Sequence, residues 1–242
     1  MADNQDERKV EQVVDGTAAS PEKVANSACV SIFNSDFCDF IRKPEILRAI
    51  DDCGFEYPFK LQYKFMPQAV VGMDILCQAQ SEAGKTTGFV LATLQQVEST
   101  ADHVCALVIC NKRVRAFHIS QKYELFGGYM PALNVAVFIG GLPVKRDEEL
   151  LKTMTPHIVV GTPGRILALV RSKRLILKRL KHIIVDDCGT SLEQMDMRRN
   201  IVEIFRNTPS EKQVMMFSTS SLSEESRATC RKFMHSDAIE IQ

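Results

Sequence analysis

The chain has 242 residues, 45% of them apolar and 25% charged, and its net charge is zero. That length suits one large domain or at most two small ones, and the balance is ordinary for a globular protein. A uniformly basic field is excluded, so a nucleic-acid partner would have to be met by local clusters of Lys and Arg.

Eight cysteines are spread along the chain without a C-x-x-C pair, and Cys77, Cys105 and Cys110 lie in apolar runs. This favours reduced, buried thiols of an intracellular protein over a disulfide framework or a zinc site. No apolar run approaches the ~20 residues of a membrane span, and the polar N-terminus shows no secretory signal.

Residues 1–29 lack periodicity and aromatic residues, and read as a disordered tail, either a plain solvated leader or a binding segment. Phe33, Phe37 and Phe40 then mark the start of a folded unit, 30–242. Pro44 opens a predicted helix over Glu45–Cys53, closed by Gly54. A second helix, Phe59–Val71, is bounded by Gly72. From there apolar runs rich in β-formers alternate with helix-length segments. The predicted strands are Asp74–Ala79, Val104–Cys110, Leu133–Ile139, His157–Gly161, His182–Asp186, Gln213–Ser218 and Ala238–Ile241. The predicted helices between them are Thr86–Val97, Arg113–Phe126, Arg146–Lys152, Arg165–Arg171, Met197–Arg206 and Ser223–Met234. This alternation predicts an α/β fold, a mostly parallel sheet with helices on both faces and its active loops at the carboxyl ends of the strands.

The strand ends carry the unusual residues. After the first comes Ala79-Gln80-Ser81-Glu82-Ala83-Gly84-Lys85-Thr86, a loose match to the Gly-x4-Gly-Lys-Ser/Thr phosphate loop. There backbone N–H groups and a helix N-terminus face the anion, the lysine adds charge, and the threonine hydroxyl can hold Mg²⁺. After the fifth comes Asp186-Asp187-Cys188-Gly189. An acidic pair there fits a magnesium-and-water site, though Asp also ends strands for solvation alone. Gly140-Gly141 and Thr162-Pro163-Gly164-Arg165 permit close backbone approach or an anion contact; the alternative is plain turn chemistry, which for Gly140-Gly141 alone is the better reading. Two basic clusters, Lys112-Arg113 with Arg115 and the group from Arg171 to Lys181, suit RNA backbone; for the second a solvated face is the better reading.

At these residues the chain resembles the DEAD-box family of ATP-dependent RNA helicases, and within it the DECD subfamily of pre-mRNA splicing and mRNA export. The likeness runs from about Val30 to Gln242, through stretches such as Lys43–Ile50, Phe89–Gln96, Pro156–Leu169 and Glu211–Ser218. It implies a single RecA-like P-loop domain, with the family's second helicase domain expected to be absent. It also implies ATP and Mg²⁺ as cofactors. Gln62, in a Q-motif-like segment, would read adenine and Phe37 would stack on it. Ala79, Gln80, Ser81, Glu82, Ala83, Gly84, Lys85 and Thr86 would hold the phosphates. Thr86 and Asp186 would hold the metal through water. Lys85, Asp186 and Asp187 would carry catalysis. Arg113, Gly140, Gly141, Thr162, Gly164 and Arg165 would track RNA backbone with little sequence preference. The further implications are export or splicing adaptors as partners, a monomer away from membranes, and the nucleus with the cytoplasm as a second compartment.

The departures fall on the catalytic motifs. Glu82 replaces the loop glycine. About 5 Å from a phosphate charge its carboxylate would repel by roughly 3 kcal/mol at an effective dielectric near 20, and far less if turned to solvent. Asp187 is one methylene shorter than the family's glutamate, and Gly189 replaces the last acid. The Ser-Ala-Thr motif has become Ser218-Thr219-Ser220-Ser221. Thr-Arg-Glu-Leu-Ala has become Lys112-Arg113-Val114-Arg115-Ala116, keeping the arginine and losing the glutamate. The expectation is a catalytically weak or inactive protein acting through RNA or adaptor binding. The alternatives are a slow RNA-stimulated ATPase completed by a second domain, and a truncated duplicate with no active role.

Overall fold

In the computed structural model, which describes residues 36–79 and 84–242, Pro44 opens α1 (Pro44–Asp52) as expected. The chain leaves α1 through Gly54, whose φ of +71° is open to glycine at no steric cost. Helix α2 (Lys60–Val70) ends before Gly72, also left-handed at +92°. The expected tail, 1–29, and the loop residues Gln80, Ser81, Glu82 and Ala83 lie outside the described residues.

Then the strands and helices alternate. They are β1 (Ile75–Gln78), α3 (Lys85–Gln96), β2 (Ala106–Cys110), α4 (Arg113–Phe126), β3 (Val135–Phe138), α5 (Val144–Thr153), β4 (Ile158–Gly161) and α6 (Pro163–Arg171). They continue as β5 (His182–Asp186), α7 (Cys188–Glu193), α8 (Met195–Arg206), β6 (Gln213–Ser218), α9 (Glu224–Arg231) and β7 (Ile239–Ile241). Among the described residues the seven strands form one sheet in the order β3-β4-β2-β5-β6-β1-β7. Every pairing is parallel, so the sheet expected to be mostly parallel is wholly so. Two elements were not foreseen: a 3-10 turn at Phe37–Asp39 and the short α7. Neither is long enough to show a helical period.

Strand residues alternate between two cores, as the pleat requires. Ile75, Cys77, Val108, Cys110, Ile184, Met215 and Phe217 face α1 to α4. Leu76, Leu107, Ile109, Ile183, Val185, Val214 and Met216 face α6 to α9. Because both faces are covered, the strands read as unbroken apolar runs. Phe217 anchors the first core, with Phe65 of α2 at 5.3 Å and Phe89 of α3 at 5.2 Å. Gly88 lets α2 and α3 cross closely, since a Cβ there would lie 2.3 Å from the Phe65 ring.

Candidate nucleotide and RNA site

The strand order sets β2, β5, β6 and β1 side by side, so their carboxyl ends, Cys110, Asp186, Ser218 and Gln78, form one row. Lys85, the first residue of α3, reaches back across that row. Its side chain is buried, and Nζ donates to the carbonyl oxygens of Ala79 (2.6 Å) and Ser218 (3.3 Å). Gly84 caps the helix at φ +87°, a turn that leads the loop into the N-terminus of α3. Gln62 is buried beside it. Its Oε1 accepts from the Phe59 N–H (2.8 Å) and its Nε2 donates to the Gly84 carbonyl (3.1 Å). Each of those two atoms has capacity for one further hydrogen bond.

The acids of β5 are engaged by the segment that follows β2. Arg115 Nε donates to Asp186 Oδ2 (2.6 Å), and Nη2 donates to Asp186 Oδ1 (3.3 Å) and to Thr86 Oγ1 (3.1 Å). Asp187 sits in left-handed backbone at φ +53° and accepts from Asn111 Nδ2 (2.7 Å) and Thr219 Oγ1 (3.3 Å). Beyond it Gly189 is packed shut: a Cβ would lie 2.7 Å from Ser218 Oγ and 3.0 Å from Ser220 Oγ. The glycine and the altered serine loop therefore fit one another. Burial raises the Cys77 thiol to about 11. Burial first, and Asp186 second, raise Cys110 well above its usual range. Neither thiol is a nucleophile at neutral pH.

Magnesium fits this arrangement poorly. The two side chains expected to hold it, Thr86 and Asp186, both face the Arg115 guanidinium. Arg115 already occupies both Asp186 oxygens, and its charge about 5 Å from a divalent ion would offset, by on the order of 7 kcal/mol at an effective dielectric near 20, the attraction that the carboxylate offers the ion.

The family model for the DEAD/DEAH box helicases matches residues 59–227. The chain belongs to this family. It is 55% identical to the ATP-dependent RNA helicase WM6 of Drosophila melanogaster, over all of this chain and 57% of that one. It is 53% identical to the human ATP-dependent RNA helicase DDX39A, over all of this chain and 56% of that one. It thus spans little more than half the length of these relatives. Among solved structures it resembles a DEAD box protein of Methanococcus jannaschii, with a TM-score of 0.78 and 28% identity, covering 85% of this chain and 55% of that one. S. cerevisiae Dbp5 bound to RNA and ADP BeF3 matches with a TM-score of 0.76 over 86% of this chain and 51% of that one; at 22% identity this likeness is one of fold alone.

Of the residues that DEAD-box resemblance assigns to RNA, four converge. The exposed Arg113 guanidinium lies against Gly140 and Gly141, where Cβ atoms would meet it at 3.7 and 2.4 Å. The Gly140 N–H donates to Thr162 Oγ1 (3.2 Å). Gly164 is exposed in the first turn of α6. Arg165 departs from expectation. It is buried, ion-paired to the buried Asp147 of α5, and donates to the Leu142 carbonyl. With its donors turned inward it braces the Gly140–Leu142 turn instead of offering a phosphate contact. Phe37 departs too: its ring is 2% exposed and meets Phe40 edge to face at 6.0 Å, so it presents no open face to a base. In the second basic cluster Arg171 pairs with Glu203 and Arg179 with Asp102, which favours the solvated-face reading. Sequence reasoning missed the positions of Asn111 and Arg115. Their signal was the broken Thr-Arg-Glu-Leu-Ala motif, with arginine at the place of its leucine.

Proposed function

We propose that this chain is an RNA-binding, adenine-nucleotide-binding RecA-like domain of nuclear mRNA processing and export. In this reading it turns nucleotide over slowly or not at all, and works by holding RNA or an adaptor protein. The observation that carries the weak catalysis is the engagement of both β5 acids. Asp186 is forked by Arg115 and Asp187 is tied to Asn111 and Thr219, so the groups that would order a metal and a water are held by the protein itself. RNA binding is supported by family membership, by relatives named as RNA helicases, and by the Arg113–Gly140–Gly141–Thr162 rim. A nuclear setting, adaptor binding and a monomeric state rest on the sequence likeness.

The test is phosphate release with and without single-stranded RNA, for the chain and for Lys85→Ala, beside RNA binding across a salt series. The expected result is RNA affinity that falls with salt and phosphate release equal to that of the variant. RNA binding absent even at low salt, together with no capture of export or splicing adaptors from nuclear extract, would reject the reading.

A second reading is favoured by Lys85 and Gln62, which remain joined to the loop ends at Ala79 and Gly84. It is a slow RNA-stimulated ATPase completed by a second helicase domain. RNA-stimulated release that Lys85→Ala abolishes would establish it over the first.

A further inference from the structure

Arg115 occupies the place where the DEAD-box motif has leucine, and its guanidinium contacts the two side chains that were expected to hold a metal. We infer that Arg115 is a resident cation that replaces the divalent metal, so that this chain binds adenine nucleotide without Mg²⁺. The ligand half of this inference rests on the nucleotide reading above; the replacement of the metal stands on the geometry.

The planar guanidinium suits this task. Nε and Nη2 fork onto the Asp186 carboxylate, while Nη2 also donates to the Thr86 hydroxyl. Asp186 is only 2% exposed at the end of a central strand, where a carboxylate needs a charge partner. The fold delivers one at short range. Cys110 is paired with Asp186 across β2 and β5, and α4 starts three residues later, so its first turn stands over the acid. On that turn Arg113 goes to the glycines of the β3 end and Arg115 to the β5 end.

The surroundings also disfavour a second cation. Arg115 and Lys122, two turns apart along α4, line one cleft of about 320 Å³ that opens at Thr86. Lys122 Nζ donates to Thr87 Oγ1 at 3.3 Å, on the same first turn of α3. An anion approaching the N-terminus of α3 therefore meets fixed positive charge supplied by side chains. What the guanidinium does not supply is an exchangeable coordination position for water, which agrees with the weak turnover proposed above.

The experiment has two arms, both on the whole chain. The first titrates fluorescent ADP and ATP analogues in excess Mg²⁺ and in excess EDTA, for wild type and Arg115→Leu. Wild-type affinity should agree within about twofold between the two conditions, while Arg115→Leu should gain at least about tenfold from Mg²⁺. Wild-type binding tightened about tenfold by Mg²⁺, or a variant as indifferent to Mg²⁺ as wild type, would overturn the inference. The second arm needs no nucleotide. It compares unfolding midpoints of Arg115→Leu, Asp186→Asn and the double variant. Non-additive losses support the pairing, and additive losses reject it. If neither protein binds nucleotide in either condition, the nucleotide reading fails and this cycle alone decides whether Arg115 holds the site.

Discussion

Gly189 shows how closely the altered motifs are fitted to one another. Restoring the family's last acid by Gly189→Asp would drive a Cβ to 2.7 Å from Ser218 Oγ, a hydroxyl already bonded to the Ser220 carbonyl at 2.9 Å. Overpacking of this kind costs about 1–3 kcal/mol. The helix propensity regained by losing a glycine offsets only part of that. Urea denaturation should therefore show a lower midpoint for Gly189→Asp at an unchanged slope, and an unmoved midpoint would contradict the packing. The sequence made Gly189 visible as a lost acid, but not as a close contact. Contact depends on how Ser218-Thr219-Ser220 turns at the end of β6, and a single changed motif does not encode that. The same limit hid Arg115. The sequence places it one turn into a helix, yet the direction of its side chain follows from the register between β2 and β5.

Helix α4 divides the site. Arg113 leans over the glycines of the RNA rim, and Arg115 and Lys122 face α3. The left-handed Gly141, at φ +95°, leaves room for Arg113, since any Cβ would strike Nη1 at 2.4 Å. Gly141→Ala should displace the guanidinium and strain the turn together. For a single-stranded RNA followed by fluorescence anisotropy, Arg113→Ala should weaken binding and make the salt slope shallower by about 0.7, one phosphate contact. Gly141→Ala should approach the same slope, and an unchanged slope in both variants would remove Arg113 from the interface. Elements of this size were the most legible part of the chain. Strand and helix runs were visible because apolar alternation and Gly or Pro punctuation are local properties. Arg165 and Phe37 lie deeper than the resemblance implies, because burial is not local. Asp147, whose position on α5 turns Arg165 inward, is 18 residues distant in the chain.

The sheet as a whole is tied together far from the site by a polar knot at the opposite end of β5. Gln213 Nε2 donates to the carbonyls of Ala69 (2.7 Å) and Met73 (2.8 Å), which fixes the direction of its amide. Its Oε1 therefore faces His182 Nδ1 at 3.0 Å and also accepts from Gln96 Nε2 at 3.1 Å. That arrangement makes Nδ1 the protonated nitrogen of a neutral ring. Nε2 is buried with no hydrogen-bond partner among the described residues. A second proton would add charge where nothing receives it, and burial lowers the His182 pKa to about 4 against the opposing Gln213 bond. The unfolded chain titrates near 6.5. Between those values the unfolded state binds the extra proton, so stability is complete above about pH 6.5 and falls as pH drops toward 4. Below the folded pKa both states are protonated and this contribution levels off. The loss is on the order of 3 kcal/mol, comparable to a large part of a domain's net stability. Because the knot joins α2, α3, β5 and β6, the loss should appear in global unfolding and not in fraying of one edge. His182→Asn keeps an N–H donor and removes the titration. Carboxylates elsewhere contribute equally to both proteins, so the quantity to read is the wild-type minus variant difference in unfolding free energy at pH 7 and at pH 4.5. That difference should shrink at the lower pH by most of the stated amount; a difference that stays constant would show that the His182 proton is not linked to folding.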